Sequence, residues 1–332
     1  MDMEQEEMQF LGLIGIYVQS YKIIITWRKL FSRITLALIL PLSIIFLAQM
    51  EINDILFYRI DRNEERLEHT PYNSPKYDKL SDLISSEWAF FFLFRLLYWT
   101  FVLVFSLLST SAVVYTVASV YTGKHVSFRE IISVVPKVWK RLAVTFLCAF
   151  AFFFLYNIVF TLLFVLWAFT LSGSDGVGPV TIIVLFVAYF IGFIYMSIIW
   201  QMASVVSVME DSFGLGAMRK SKDLIKGKMW IAIVIFVKLN VSLAAIQILF
   251  QLLVAYGGGS AALKIGMGVL CLLLLLKLIL MGLVIQTVFY FVCKSYHHQS
   301  IDKSALSDHL DVYLGEYEPL KEKDVQLQHF QV

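Results

Sequence analysis

Six stretches of nearly unbroken apolar residues, 34–50, 88–120, 142–171, 180–209, 230–256 and 265–293, alternate along the chain with shorter polar segments. A bilayer hydrocarbon core of about 30 Å takes about 20 helical residues to cross at a rise of 1.5 Å each. The pattern therefore predicts six transmembrane helices. The first stretch is the shortest and holds Pro41, which predicts a kink or a helix that continues the preceding segment at an angle. The second is long and carries Arg95 near its start, so it should begin in the interface with the guanidinium reaching outward. Trp88, Trp200 and Trp230 stand near stretch ends, where amphipathic rings favour the membrane–water boundary.

The polar segments carry a second pattern. Within 128–142, Phe128, Ile131, Ile132, Val135, Val138, Trp139 and Leu142 recur at spacings of three and four, the period of one helical face, and Arg129, Glu130, Lys137, Lys140 and Arg141 take the remaining positions. Ahead of the first span, Phe10, Leu13, Ile14, Tyr17 and Ile24 accompany Lys22, Arg28 and Lys29, and Trp27-Arg28-Lys29-Leu30 echoes Trp139-Lys140-Arg141-Leu142. A third basic stretch covers 215–228. Three parallel repeats, each an interfacial helix followed by two spans, account for this pattern. A general tendency of segments before outward-going spans to be basic accounts for it equally.

Composition strengthens the membrane reading: 59% of the 332 residues are hydrophobic and 16% charged, against about 45–50% and about 25% in soluble domains. With six spans, the polar segments fall on two sides. The amino-terminal segment 1–33, the segments 121–141 and 210–229 and the tail 294–332 together hold 18 Lys and Arg, and the opposite side holds 6. Positive residues stay cytosolic, so both termini are expected in the cytosol. The expected organisation is a cytosolic amino terminus with an amphipathic helix (1–33), a six-span membrane domain (34–293) and an acidic cytosolic tail (294–332). The extracytosolic loop 51–87, with nine acidic and five basic residues, reads as a small lid or a solvated connection. The start of the chain is acidic, so insertion is expected from an internal segment rather than a cleavable signal. A net charge of +2 gives no basic face for nucleic acid. The cysteines, Cys148, Cys271 and Cys293, lie in apolar runs and imply no disulfide framework.

One segment is more specific. From 210 to 230 the chain reads EDSFGLGAMRKSKDLIKGKMW, in which Ala217, Ser221 and Leu224 share a helical face, Gly227 can end the helix and Trp230 anchors the next span. Arg219, Lys220, Lys222, Lys226 and Lys228 supply positive charge at headgroup level, which makes Arg219, Lys220, Lys226 and Lys228 candidate contacts for anionic lipid. An acidic residue closing a span, followed by Ala-x-x-x-Ser-x-x-Leu-x-x-Gly-x-x-Trp, resembles the membrane domain attached to some bacterial glycerophosphoryl diester phosphodiesterases and the related YciC-like membrane proteins. The residues that carry the resemblance are Glu210, Ala217, Ser221, Leu224, Gly227 and Trp230. The whole chain also looks like a plant family of multi-pass membrane proteins of unknown function. No phosphodiesterase catalytic domain accompanies the motif, so the resemblance implies a membrane module acting through lipid contact or assistance to other proteins.

Little in the spans suggests catalysis. They contain no Asp, Glu or His to serve a serine nucleophile, and the histidines, His69, His125, His297, His298, His309 and His329, lack the helical spacing of a metal site. No cofactor and no enzymatic activity are expected. Lys277 stands near the middle of the sixth span and Lys238 two turns into the fifth, with Asn157, Gln201, Asn240, Gln247, Gln251 and Gln286 as uncharged polar groups. Lys277 is thus the candidate intramembrane polar site, either lining a cavity for an anionic solute or headgroup or held in interhelical hydrogen bonds. In the tail, Tyr317-Glu318-Pro319-Leu320 resembles an adaptor sorting signal through Tyr317 and Leu320, and Cys293 is a candidate palmitoyl acceptor. The expectation is an all-α polytopic integral membrane protein of the plasma membrane or an endomembrane. It would work without catalysis in lipid handling, membrane organisation or partner assistance, with membrane lipids and membrane proteins or a second copy as partners. Transport through a cavity around Lys277 is the alternative.

Overall fold

The computed structural model describes residues 8–72, 74–124, 126–170, 176–255, 257 and 260–299. They form α1 (Leu13–Thr26), α2 (Arg28–Ile34), a π-turn (Thr35–Ile39), α3 (Leu40–Glu68), α4 (Pro75–Thr122), α5 (Phe128–Thr170), α6 (Val177–Met209), α7 (Leu215–Ile225), α8 (Met229–Phe250), a second π-turn (Gln251–Ala255) and α9 (Ala261–Tyr296). No strand occurs among the described residues. Among the described residues six helical stretches are long and apolar enough to cross a membrane, α2 to α3 counting as one. The fold is the all-α, six-span one that the apolar pattern predicts. Its apolar side chains face outward to a degree no aqueous protein would allow: only 6% of the most apolar window of α5 is buried.

Three local features add to or differ from the sequence pattern. The first span continues the helix before it, one of the two readings Pro41 allowed, as a single stretch over Arg28–Glu68. The π-turn Thr35–Ile39 precedes Pro41, which sits in the first turn of α3; proline lacks an N–H and crowds the carbonyl four residues back, and a widened turn relieves both. The basic stretch before the third span is no separate interfacial helix, because α5 runs unbroken from Phe128 through Pro136 into the membrane. A capping box starts it: the Ser127 hydroxyl bonds Glu130 Oε1 at 2.8 Å and accepts the Glu130 N–H, while Glu130 Oε2 accepts the Ser127 N–H at 3.2 Å.

The third difference is the segment 51–87, read above as a lid or a solvated connection. It is mostly helix: α3 continues through residues 51–68, about 27 Å beyond its apolar part, and α4 begins already at Pro75. Loss of apolarity marks where the chain leaves lipid, but residues such as Glu64, Glu65, Arg66 and Leu67 are good helix formers and nothing before Pro71 stops the helix. Ser74 accepts the Tyr77 N–H at 3.1 Å as an N-cap, with Pro75 in the first helical position.

The chain divides into two compact units, one comprising residues 32–109 and 239–280, the other residues up to 31 together with 110–238 and those from 281 onward. In the first, Asn63 Nδ2 donates to both carboxylate oxygens of Glu87 at 3.1 and 2.9 Å, and Trp88 Nε1 donates to Glu64 at 3.0 Å, which ties α3 to α4. Its core joins Leu47, Ile246, Phe250, Cys271 and Leu275.

The second unit holds α5 and α6 as an antiparallel pair with an aromatic seam: Phe153 meets Phe193 and Trp200, Phe160 meets Tyr189, and Phe164 meets Phe186, at centroid distances of 5.0 to 5.8 Å. Polar groups along this pair find partners within it, as hydrocarbon requires. Tyr156 Oη donates to the Tyr189 carbonyl at 2.7 Å, Tyr189 Oη to Asn157 Oδ1 at 3.0 Å, and Trp167 Nε1 to the Gly178 carbonyl at 3.1 Å. The unit's buried residues gather toward the ends of α4, α6 and α9 and the start of α5, among them Tyr115, Tyr121, Ile131, Val206 and Phe291. Tyr121 stacks on Phe291 at 4.5 Å. These helix ends position the site described next.

Hydrogen-exchange mass spectrometry on the reconstituted protein should show slow, helix-like exchange across residues 51–68 and 76–87. Exchange of both at the rate of an open loop would mean that the hairpin does not form.

Candidate functional site

α6 ends at Met209, and Glu210 follows in extended backbone. Its side chain is only 10% exposed, and its carboxylate collects three donors from distant parts of the chain. Tyr290 Oη donates at 2.5 Å, Lys294 Nζ lies at 3.2 Å, and the Lys220 ammonium pairs with the other oxygen. Tyr290 and Lys294 are four residues apart on α9 and so reach one point from the same face. Burial pushes the Glu210 carboxyl up, but the hydrogen bonds from Lys220 and Tyr290 and the charges of Lys294 and Lys220 outweigh it, holding the group below its ordinary value. Glu210 is therefore an ionised, largely buried anchor.

The next residues are pinned to α5. Asp211 pairs with Arg141 at 3.0 Å, and the Gly214 N–H donates to Thr145 Oγ1 at 2.8 Å, whose oxygen also lies 2.7 Å from Ser207 Oγ. Gly214 adopts a φ of +60°, open to glycine at little cost, with Cys148 and Val144 packed beside it. This tight turn swings the chain into α7.

α7 buries Ala217, Ser221, Leu224 and Ile225, and Ser221 Oγ donates back to the Ala217 carbonyl at 2.7 Å. Small residues on this face let the helix lie close to its neighbours. At its end, His297 Nε2 stands 3.1 Å from the Leu224 carbonyl and 3.0 Å from that of Lys226. Carbonyl oxygens only accept, so this nitrogen carries a proton and caps the helix end. Gly227 has a φ of +84°, and a Cβ there would lie 2.5 Å from the Tyr296 ring. Lys228 lies over that ring at 4.9 Å from its centroid and donates to the Gln9 carbonyl at 3.0 Å.

Five of the six motif residues thus serve one junction: Glu210, Ala217, Ser221, Leu224 and Gly227 hold α7 against the ends of α6 and α9. Trp230 does not join them; it is exposed at the start of α8. The basic residues divide as well. Lys220 is engaged by Glu210 and Lys228 by Gln9 and Tyr296, Lys226 pairs with Asp223 at 2.7 Å while staying exposed, and Arg219 and Lys222 are exposed. Lys277 lies in the other unit, exposed, about 24 Å along α9 from Ala261. Of the amides, Gln201 and Gln286 line a cleft with Ile198, Met202, Ala232, Ile235 and Phe289, whose volume of about 20 Å³ leaves room for no more than about one water. Lys238 places its ammonium over the Tyr17 ring at 4.1 Å. Cys293 is fully buried, which leaves its thiol out of reach of a palmitoyl donor. Tyr317 and Leu320 lie outside the described residues.

The sequence pattern did not bring Tyr290, Lys294, His297, Arg141 or Thr145 into this site. The available signal was the i, i+4 pair Tyr290 and Lys294 at the end of an apolar run. Among the described residues no group of three His, Cys, Asp or Glu could hold a metal.

Glu210→Gln should lower stability in detergent by about 2 kcal/mol at neutral pH, because two lysines lose their counter-charge. A carboxylate held below its ordinary value of 4.5 stabilises above that pH and ceases to do so as pH falls through its folded value. The gap between wild type and variant should therefore close under acid, and thermal midpoints measured across pH check both points. Gly227→Ala should cost about 2 kcal/mol through backbone strain and the Tyr296 clash. Adding Tyr296→Ala should restore part of this; no restoration would remove the ring contact from the explanation.

Comparison of the chain with curated proteins and with solved structures gives no match. A family model described as "Domain of unknown function (DUF8558)" matches residues 1–330. That match covers almost the entire chain, including α1 and the whole Glu210 junction, and on it the chain belongs to the DUF8558 family.

Proposed function

We propose that the protein acts without catalysis at the membrane–water boundary, binding anionic lipid headgroups in the course of lipid handling, membrane organisation or assistance to a membrane partner. The observation that carries this reading is the two-sidedness of α7. Its inner face, Ala217, Ser221, Leu224 and Ile225, is locked into the junction, while Arg219, Lys222 and Lys226 project outward. Exposed Phe213, Leu215 and Trp230 flank these cations. Apolar and aromatic side chains beside lysine and arginine suit the headgroup layer, where each cation contributes about 1 kcal/mol against anionic lipid.

The motif's resemblance to YciC-like proteins and to the membrane domain of glycerophosphoryl diester phosphodiesterases supports a lipid role, and the plant family it resembles shares the multi-pass plan. A non-enzymatic role is favoured because the acids of the junction are already employed: Glu210 by Lys220, Tyr290 and Lys294, Asp211 by Arg141. Positive charge on α7 and before the spans supports cytosolic termini. Transport is the second reading, resting on the charge that Lys277 carries near the middle of a span.

Native mass spectrometry of lipids retained in mild detergent tests both. An Arg219→Gln, Lys222→Gln, Lys226→Gln variant should lose bound acidic lipid at least several-fold, while Lys277→Ala keeps it. A full wild-type complement on the triple variant would overturn the headgroup reading, and loss on Lys277→Ala alone would transfer the ligand to α9 and favour transport.

A further inference from the structure

α1 has a buried side and an exposed apolar side opposite it, which the sequence pattern does not separate. Ile16, Gln19, Ser20 and Ile23 are buried, following the helical period along the inner face. On the other side Ile14, Val18, Tyr21 and Ile25, also at helical spacing, are between 50% and 78% exposed, and Phe10, just before the helix, is 81% exposed. Leu13 and Tyr17, assigned by the sequence pattern to the amphipathic face, lie at intermediate exposure between these sides. A continuous stripe of five large apolar side chains facing water would be costly at about 25 cal/mol per Å². Fourteen residues span only about 21 Å, too short to cross the bilayer.

Two contacts say where this stripe lies. The Gln9 carbonyl accepts from Lys228, immediately before α8, and the Tyr17 ring sits under the Lys238 ammonium at 4.1 Å, well inside α8. α1 is therefore fastened along the first part of a helix that enters the membrane. Lys22, Arg28 and Lys29, all exposed, edge the stripe and its continuation with charge suited to lipid headgroups. Trp27 separates α1 from α2, so the chain can turn before the first span.

We propose that α1 is a half-inserted helix whose outer stripe, Phe10, Ile14, Val18, Tyr21 and Ile25, is covered by the acyl chains and headgroup boundary of the one leaflet that α8 enters. Bilayer lipid is the occupant, chosen because the stripe runs beside a membrane-entering helix and is bordered by cations. The helix adds volume to a single leaflet, the arrangement by which inserted helices become sensitive to lipid packing and curvature. This inference rests on the membrane placement of the spans and not on headgroup binding by α7, so neutralising Arg219, Lys222 and Lys226 should leave its result unchanged.

Spin labels test it in the full chain carrying Cys148→Ala, reconstituted in phosphatidylcholine–phosphatidylserine vesicles. Labels at Ile14→Cys, Val18→Cys and Tyr21→Cys should collide mainly with oxygen, which dissolves in lipid, and a label at Lys29→Cys mainly with a water-soluble nickel complex. All four sites are outward-facing, so thermal midpoints should stay at the Cys148→Ala value. Nickel-dominated collisions along the stripe would place it in water and overturn the proposal. Low collision with both reagents would overturn it too, by showing that protein, a second copy or another partner, covers the stripe.

Discussion

A carboxylate at the end of an apolar helix has to be balanced where it stands, because at the edge of lipid neither water nor mobile ions can do so freely. Glu210 is in that position, and it draws in Lys220 from α7 together with Tyr290 and Lys294 from α9. Three helices are thereby fixed at one point. Once α7 is held there, its small residues can pack, His297 can cap its final carbonyls, and Gly227 can pass the Tyr296 ring. The motif is best understood as a joint, and most of its residues are employed in making that joint.

The same constraint governs the polar groups farther along the helices. Thr145 with Ser207, Asn157 with Tyr189, and Trp167 with Gly178 are each satisfied inside the unit. What the joint does not consume is then informative. Arg219, Lys222 and Lys226 are left outward on α7, and an apolar stripe is left outward on α1, which Gln9 and Tyr17 tie to Lys228 and Lys238 along the first part of α8. Cations and apolar side chains spared by internal packing are the groups with which such a protein meets its membrane.

Much of this was legible from residue order because lipid acts on each span separately. Any run of about 20 apolar residues must be helical and must cross, whatever else the chain does. The Ala217, Ser221 and Leu224 face was legible for a similar reason, since helical period alone puts those residues together. The limits of the 51–87 segment were not, because hydropathy reports where lipid ends and not where a helix ends, and the decisive signal was the small Ser74-Pro75 cap. Of the basic residues proposed as lipid contacts, Lys220 and Lys228 could not be told from Arg219 by charge. Only their partners, Glu210, Gln9 and Tyr296, distinguish them.

The sequence by itself determined the helical class, the six spans and the helix that carries the motif, because each follows from local periodicity and from the transfer of one segment into hydrocarbon. The tertiary structure alone decided which lysines are spent on the joint, which face of α1 is buried, and that Tyr290, Lys294 and His297 belong with residues some seventy to eighty positions earlier. Those outcomes depend on which side chains packing brings within a few ångströms, and separation along the chain carries no trace of that distance.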